Sequence, residues 1–116
     1  MSWKDTGWGA ENIIINTAIE ADQGGDLVLK KIKLDTEEMT PLERHRHANT
    51  IIYVETGAIE LTVGDDFFEL EEGEGHYIEA GEKHRIENLV GSVAEVLRIS
   101  FPFDPDDIDV LDNPYS

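Results

Sequence analysis

The chain has 116 residues, 40% of them hydrophobic, with no cysteine and with 26 acidic against nine basic residues, a formal charge of −17. That length makes one domain, 1–116, since domains run to roughly 100–150 residues, and no apolar run approaches the ~20 residues of a membrane-spanning helix. Disulfides, thiolate metal sites and cysteine nucleophiles are excluded together, and the charge repels phosphate backbones and anionic membranes, so neither nucleic acid nor a membrane is an expected partner.

The opening residues, MSWKDTGWG, carry neither the apolar stretch nor the cleavage site of a secretory signal, and the expected compartment is the cytoplasm. Trp3 and Trp8 in this arm read as packing against the barrel or a second subunit, with carbohydrate stacking as the alternative. From residue 11 the apolar stretches are short and broken by Gly and Asp, a pattern of strands and turns. The predicted strands are Asn12 to Ala18, Leu27 to Leu34, Thr50 to Glu55, Ala58 to Val63, Phe67 to Leu70, His76 to Glu79, His84 to Asn88 and Ala94 to Phe101. Between the second and third, TEEMTPLE comes nearest to a helix, but Pro41 cuts it. Ala58 to Val63 and Phe67 to Leu70 form the clearest hairpin, because Gly64 followed by aspartate supplies the positive φ of a tight turn. Alternation puts Ile59, Leu61 and Val63 on the core face, with Glu60 and Thr62 opposite.

About eight short strands in one small domain point to an all-β closed barrel or two-sheet jelly roll, which limits exposed sheet edges. The core is expected over about 11–101. The remaining 102–116, acidic and Pro-rich, is expected to lie extended over the surface or to be partly disordered. The acidic run from His47 to Glu82, which contains no Lys or Arg, reads as a solvated face.

Chemistry is concentrated in the histidines. His45 and His47 stand two apart, and on a strand such positions share one face, so both imidazoles can enter one cavity. His84, 37 residues after His47, can return beside them through antiparallel hairpins. His76 reads as a rim or surface residue, and Asn88 as a structural hydrogen-bonding one. Glu43, two before His45, is the carboxylate that spacing places on the same face and the candidate catalytic base. Arg44, Arg46, Lys83, Arg85 and Arg98 are the basic residues near these positions, and Arg46 and Arg98 are the candidate substrate contacts.

Gly73, five residues, Glu79-Ala80-Gly81, two residues, His84, three residues and Asn88 resemble the second cupin motif, with Glu79 in place of its proline. His45-Arg46-His47 followed by TIIYVETG, ending at Gly57, resembles the first. Within the cupins, GWGAEN, VLKKIKL, LERHRH, ETGAIELTVGD and YIEAGEKHRIEN are similar to the small domain of the phosphomannose isomerase and mannose-1-phosphate guanylyltransferase type, over about residues 7 to 100. The resemblance implies a double-stranded β-helix, a jelly-roll barrel, and one divalent transition metal (Fe, Mn, Ni or Zn) on His45, His47 and His84. Two departures accompany it. Thr50 stands seven before Gly57, where the family has its liganding glutamate, and Met39 stands where a glycine is expected six before His45. An inherited cavity that no longer uses metal is the alternative.

The resemblance implies a metal-dependent, mannose-6-phosphate isomerase-like enzyme acting on a sugar or sugar phosphate. The alternatives are a three-histidine iron dioxygenase-like cupin and a non-catalytic barrel that binds a small ligand such as a saccharide. A homodimer is expected, through sheet edges and the N-terminal segment containing the tryptophans and IIIN at 13–16.

Overall fold

The computed structural model describes residues 3–16, 27–89, 91–102 and 106–112. Eleven strands are present among them and no helix: β1 (Lys4–Asp5), β2 (Gly9–Asn16), β3 (Val28–Leu34), β4 (Leu42–His45), β5 (Asn49–Thr56), β6 (Ala58–Val63), β7 (Asp66–Glu71), β8 (Gly75–Ile78), β9 (Lys83–Glu87), β10 (Ala94–Phe101) and β11 (Ile108–Asp112). They form a six-stranded sheet in the order β1-β2-β3-β10-β5-β8 and a five-stranded sheet in the order β11-β4-β9-β6-β7. Every pairing is antiparallel. No helix among the described residues is long and apolar enough to cross a membrane.

Strand alternation builds the core. Ile32 and Leu34 of β3, Ile52 and Val54 of β5, Ile59, Leu61 and Val63 of β6, Ile86 of β9, and Ala94 and Val96 of β10 fill the space between the sheets. Each sheet turns one face inward, so a period of two in the sequence becomes the two inner faces of a sandwich. The β6–β7 hairpin turns through Gly64 and Asp65, because Val63 pairs with Asp66, and Gly64 has the positive φ of 61° that such a turn demands.

Trp8 belongs to the core, while Trp3 is partly exposed with the Lys33 ammonium 4.2 Å from its ring centre. Packing is thus the role the structure gives Trp8. Gly9, beside it, has a φ of 150°, and a Cβ there would lie 2.0 Å from the Lys33 carbonyl oxygen. Only glycine allows β2 to lie this close against β3.

Three strands were not among the expected ones: β1, β4 and β11. LERH of β4 has one apolar residue and IDVLD of β11 breaks its alternation at Val110 and Leu111, yet they pair with each other over four positions. The tail is therefore more than an extended surface segment. It supplies the edge strand beyond β4, and Asp107 just before it is buried, accepting hydrogen bonds from the backbone N–H groups of His47 and Ala48. Residues 17–26, 103–105 and 113–116, including the end of the first predicted strand, lie outside the described residues.

Candidate functional site

Toward the β4–β11 side the apolar core gives way to polar side chains. On β10 the buried positions run Ala94, Val96, Arg98 and Ser100, so the alternation that buries two aliphatic residues also turns a guanidinium and a hydroxyl inward. Opposite Ser100 lies Thr50 of β5. On β4, Glu43 is paired with His84 of β9, and His45 follows it on the same face. β3 contributes Lys30, and β2 contributes Glu11.

These residues form two groups, coupled through the charge of Arg98. Thr50 Oγ1 lies 3.3 Å from His45 Nδ1 and 3.3 Å from Ser100 Oγ. His45 Nδ1 is 3.4 Å from His84 Nε2, and the two rings stack at 5.4 Å between centroids. Arg98 lies between two carboxylates, 3.7 Å from Glu43 and 4.0 Å from Glu11, while Lys30 pairs with Glu11 at 3.7 Å. The three carboxylate distances exceed an ordinary hydrogen bond, so these are ion pairs without tight directional contacts.

Burial sets the protonation of both imidazoles. His45 is held down at about 4, first by desolvation and then by the Arg98 charge, against a raising influence from Asp107. His84 is held down at about 3 by desolvation, Arg98 and His45, in that order. Both rings are neutral at pH 7, each with one donor and one acceptor nitrogen. The Lys30 ammonium is lowered by burial and by Arg98, opposed by Glu11 and Glu43.

His47 does not join this group. β4 ends at His45, so strand alternation stops one residue later. His47 is exposed in the following bend, tied by its backbone N–H to Asp107. The two inward residues of β4 are Glu43 and His45. Counted from this frame, the residue six before the first inward position is Glu37, not Met39, and Glu37 has a positive φ of 65°. A glycine pattern is thus kept in backbone conformation without the glycine.

Arg46 also lies outside, exposed, ion-paired with Asp109 at 3.8 Å and donating to the Asp106 carbonyl. Arg44 pairs with Asp109 at 3.2 Å, Arg85 with Asp112 at 3.1 Å and Lys83 with Asp65 at 3.8 Å. Of the basic residues near the motifs, Arg98 is the one inside. His76 stacks on Phe68 at 4.3 Å, away from the polar interior. Asn88 is fully buried, and its amide donates to the carbonyls of Leu34 and Ser92. Glu11, Lys30 and Ser100 were not singled out from sequence. The signal for Lys30 was present, since VLKKIKL alternates Val28, Lys30, Ile32 and Leu34 onto one face.

The donor set bears on the divalent metal that the resemblance implies. Two imidazoles converge, Thr50 stands where a carboxylate is expected, and Glu43 faces Arg98. Among the described residues no three His, Cys, Asp or Glu side chains gather as a metal-holding group. A guanidinium close enough to depress both imidazoles also repels a second cation. The residues as arranged do not fit a three-histidine metal centre.

A narrow cleft reaches this interior, lined by Val28, Lys30, His45, Ala48, Arg98 and Ser100 among others. Its volume is about 10 Å³, room for one water.

Two antiparallel sheets closed over a shared core, with polar residues gathered at one side, define a double-stranded β-helix. The Cupin domain model matches residues 31–100, more than half of the chain, and the protein belongs to the cupin family. Solved structures share the fold at low identity. KdgF from Halomonas sp. superposes with a TM-score of 0.77 at 20% identity, covering 91% of this chain and 90% of its own. The polyketide cyclase RemF from Streptomyces resistomycificus gives 0.72 at 23% identity, with 91% and 75% covered. The oxalate decarboxylase–formate complex from Lactobacillus farciminis gives 0.78 at 16% identity, with 95% of this chain and 33% of that one covered. Comparison with curated proteins gives no match.

Proposed function

We propose that this cupin binds a small organic anion, a short carboxylate, at the Lys30, Arg98, His45 and Ser100 end of its barrel. The observation that carries the reading is the placement of two inward cations, Lys30 and Arg98, on a cleft in a protein of charge −17. Their ion pairs at 3.7–4.0 Å are loose. A ligand carboxylate could exchange them for shorter, bidentate contacts with the Arg98 guanidinium. His45 and Ser100 would add neutral hydrogen-bonding groups, and a cleft with room for about one water restricts the ligand to the smallest carboxylates. An oxalate decarboxylase with formate bound is among the structural neighbours, which supports the compatibility of this barrel with small carboxylates.

The geometry favours binding over turnover. Sugar or sugar-phosphate isomerisation needs a base to carry a proton between adjacent carbons, and Glu43 is engaged by Arg98. The iron dioxygenase alternative needs a ligand set that the interior does not gather. The test is isothermal titration with formate, acetate, oxalate, a uronic acid, mannose 6-phosphate and neutral mannose. Saturable binding of a carboxylate that is lost in Arg98→Met is expected. Equal binding of neutral mannose, or no binding of any acid at millimolar concentration, would refute the reading.

We further propose a homodimer. On the outer face of the six-stranded sheet, register aligns Leu29, Ile99, Ile51 and Tyr77 in one row and Leu97 with Tyr53 in the next. Tyr53 and Tyr77 are both exposed there, forming an apolar surface on a highly charged chain. Sedimentation should show a dimer that Tyr53→Glu dissociates, and a wild-type monomer at micromolar concentration would sink the idea.

A further inference from the structure

We infer that Arg98 is the resident cation of this barrel: its guanidinium, held between Glu11 and Glu43 and beside His45 and His84, supplies the positive charge that a divalent ion would otherwise bring, and thereby excludes such an ion. The inference concerns the interior itself and stands whether or not the ligand is a carboxylate.

Three observations lead to it. First, the position is built. Arg98 is inward by strand alternation between Val96 and Ser100, it is 7% exposed, and it is flanked by two carboxylates from different strands. A charged side chain is rarely buried so far unless partnered.

Second, the charges balance without a metal. Lys30 and Arg98 stand against Glu11 and Glu43, while the Asp107 carboxylate that also acts on His45 is taken up by the backbone N–H groups of His47 and Ala48. A divalent ion would add two positive charges beside Arg98 and Lys30, in surroundings where Coulomb interactions are strong.

Third, the donors are already committed. Glu43 is the only acidic residue paired across strands with His84, and Arg98 draws its carboxylate. The Thr50 hydroxyl, a neutral group, is shared between His45 and Ser100. What remains for a metal is two imidazoles, whose nitrogens lie 3.4 Å apart. Removing Arg98 would leave Lys30 alone against Glu11 and Glu43 and release the Glu43 carboxylate. Two histidines and a carboxylate from adjacent strands would then face one space, a donor set that suits first-row divalent ions.

The experiment uses protein purified without a metal-affinity tag and titrated with Co(II). Its ligand-field absorption reports inner coordination separately from ions loosely held by the acidic surface. The wild type should show no bands beyond those of His45→Ala/His84→Ala, which sets the surface background. Arg98→Ala should gain about one Co(II) per chain, bound on the order of 100-fold more tightly than by the wild type. The gain should vanish in Arg98→Ala/His84→Ala. Wild-type bands that disappear in His45→Ala or His84→Ala would overturn the inference. So would a folded Arg98→Ala, checked by circular dichroism, that binds no more tightly than the wild type. Should Arg98→Ala fail to fold, the wild-type comparison decides by itself.

Discussion

Lowering the pH from 7.5 to 5 should destabilise the protein through His45 and His84 specifically. In the unfolded chain both imidazoles titrate near 6.5, while in the fold they are held at about 4 and about 3. Between these values the unfolded state binds protons that the native state refuses, so stability falls as pH falls. The loss begins near pH 6.5 and is complete only below the folded pKa values. At pH 5 each histidine is almost wholly protonated when unfolded and almost wholly neutral when folded, which amounts to roughly 2 kcal/mol each and roughly 4 kcal/mol together. For a domain of this size that corresponds to a fall of about 15 °C in Tm.

Urea denaturation at both pH values, for the wild type and for His45→Gln/His84→Gln, isolates the effect. The carboxylates, His47 and His76 are common to both proteins and cancel in the difference. The wild type should lose roughly 4 kcal/mol more than the double variant over this range. Losses equal within about 0.5 kcal/mol would show that the imidazoles are not buried neutral as described, and the account of the interior would fail with them.

Three further outcomes follow from particular contacts. Arg98→Met should destabilise by about 3 kcal/mol by leaving Glu43 without its cation, and Arg98→Met/Glu43→Leu should recover most of that in urea titrations. Asp107→Ala should cost about 2 kcal/mol, since the backbone N–H groups of His47 and Ala48 lose their shared acceptor. Faster hydrogen exchange at those two amides would locate the effect. Gly9→Ala should cost more than about 2 kcal/mol, because its Cβ would meet the Lys33 carbonyl at 2.0 Å. Increased Trp8 exposure, read by fluorescence, would mark the separation of β2 from β3.

Apolar alternation was enough to read the all-β class and eight of the strands from sequence. Ile59, Leu61 and Val63 are buried as their spacing requires, and Ala58–Val63 and Ala94–Phe101 match their predicted bounds. The signal is strong there because each strand has one face against the core, and a slip of one residue would bury its polar face. β4 and β11 lack that signal. LERH has a single apolar residue and IDVLD breaks its alternation at Val110 and Leu111, and the two pair because Ile108 meets His45 and Asp109 meets Arg44 across the edge, contacts between segments more than 60 residues apart. No local pattern encodes such a pairing.

The polar interior divides in the same way. Sequence alone singled out His45, His47, His84, Thr50, Glu43, Arg46 and Arg98, of which the fold turns His45, His84, Thr50, Glu43 and Arg98 inward, and it determined the charge, the absence of cysteine and the cupin motifs. It could not determine where β4 stops. That stop decides whether His47 joins Glu43 and His45 on the inner face, and it is fixed by Asp107, which draws the backbone of His47 and Ala48 into a bend from the far end of the chain. Nor could it show Arg98 between Glu11 and Glu43, since those side chains come from three strands. Period and composition are local quantities and survive in the sequence, whereas the sign of the charge beside a buried imidazole depends on which distant strands the closed barrel brings together.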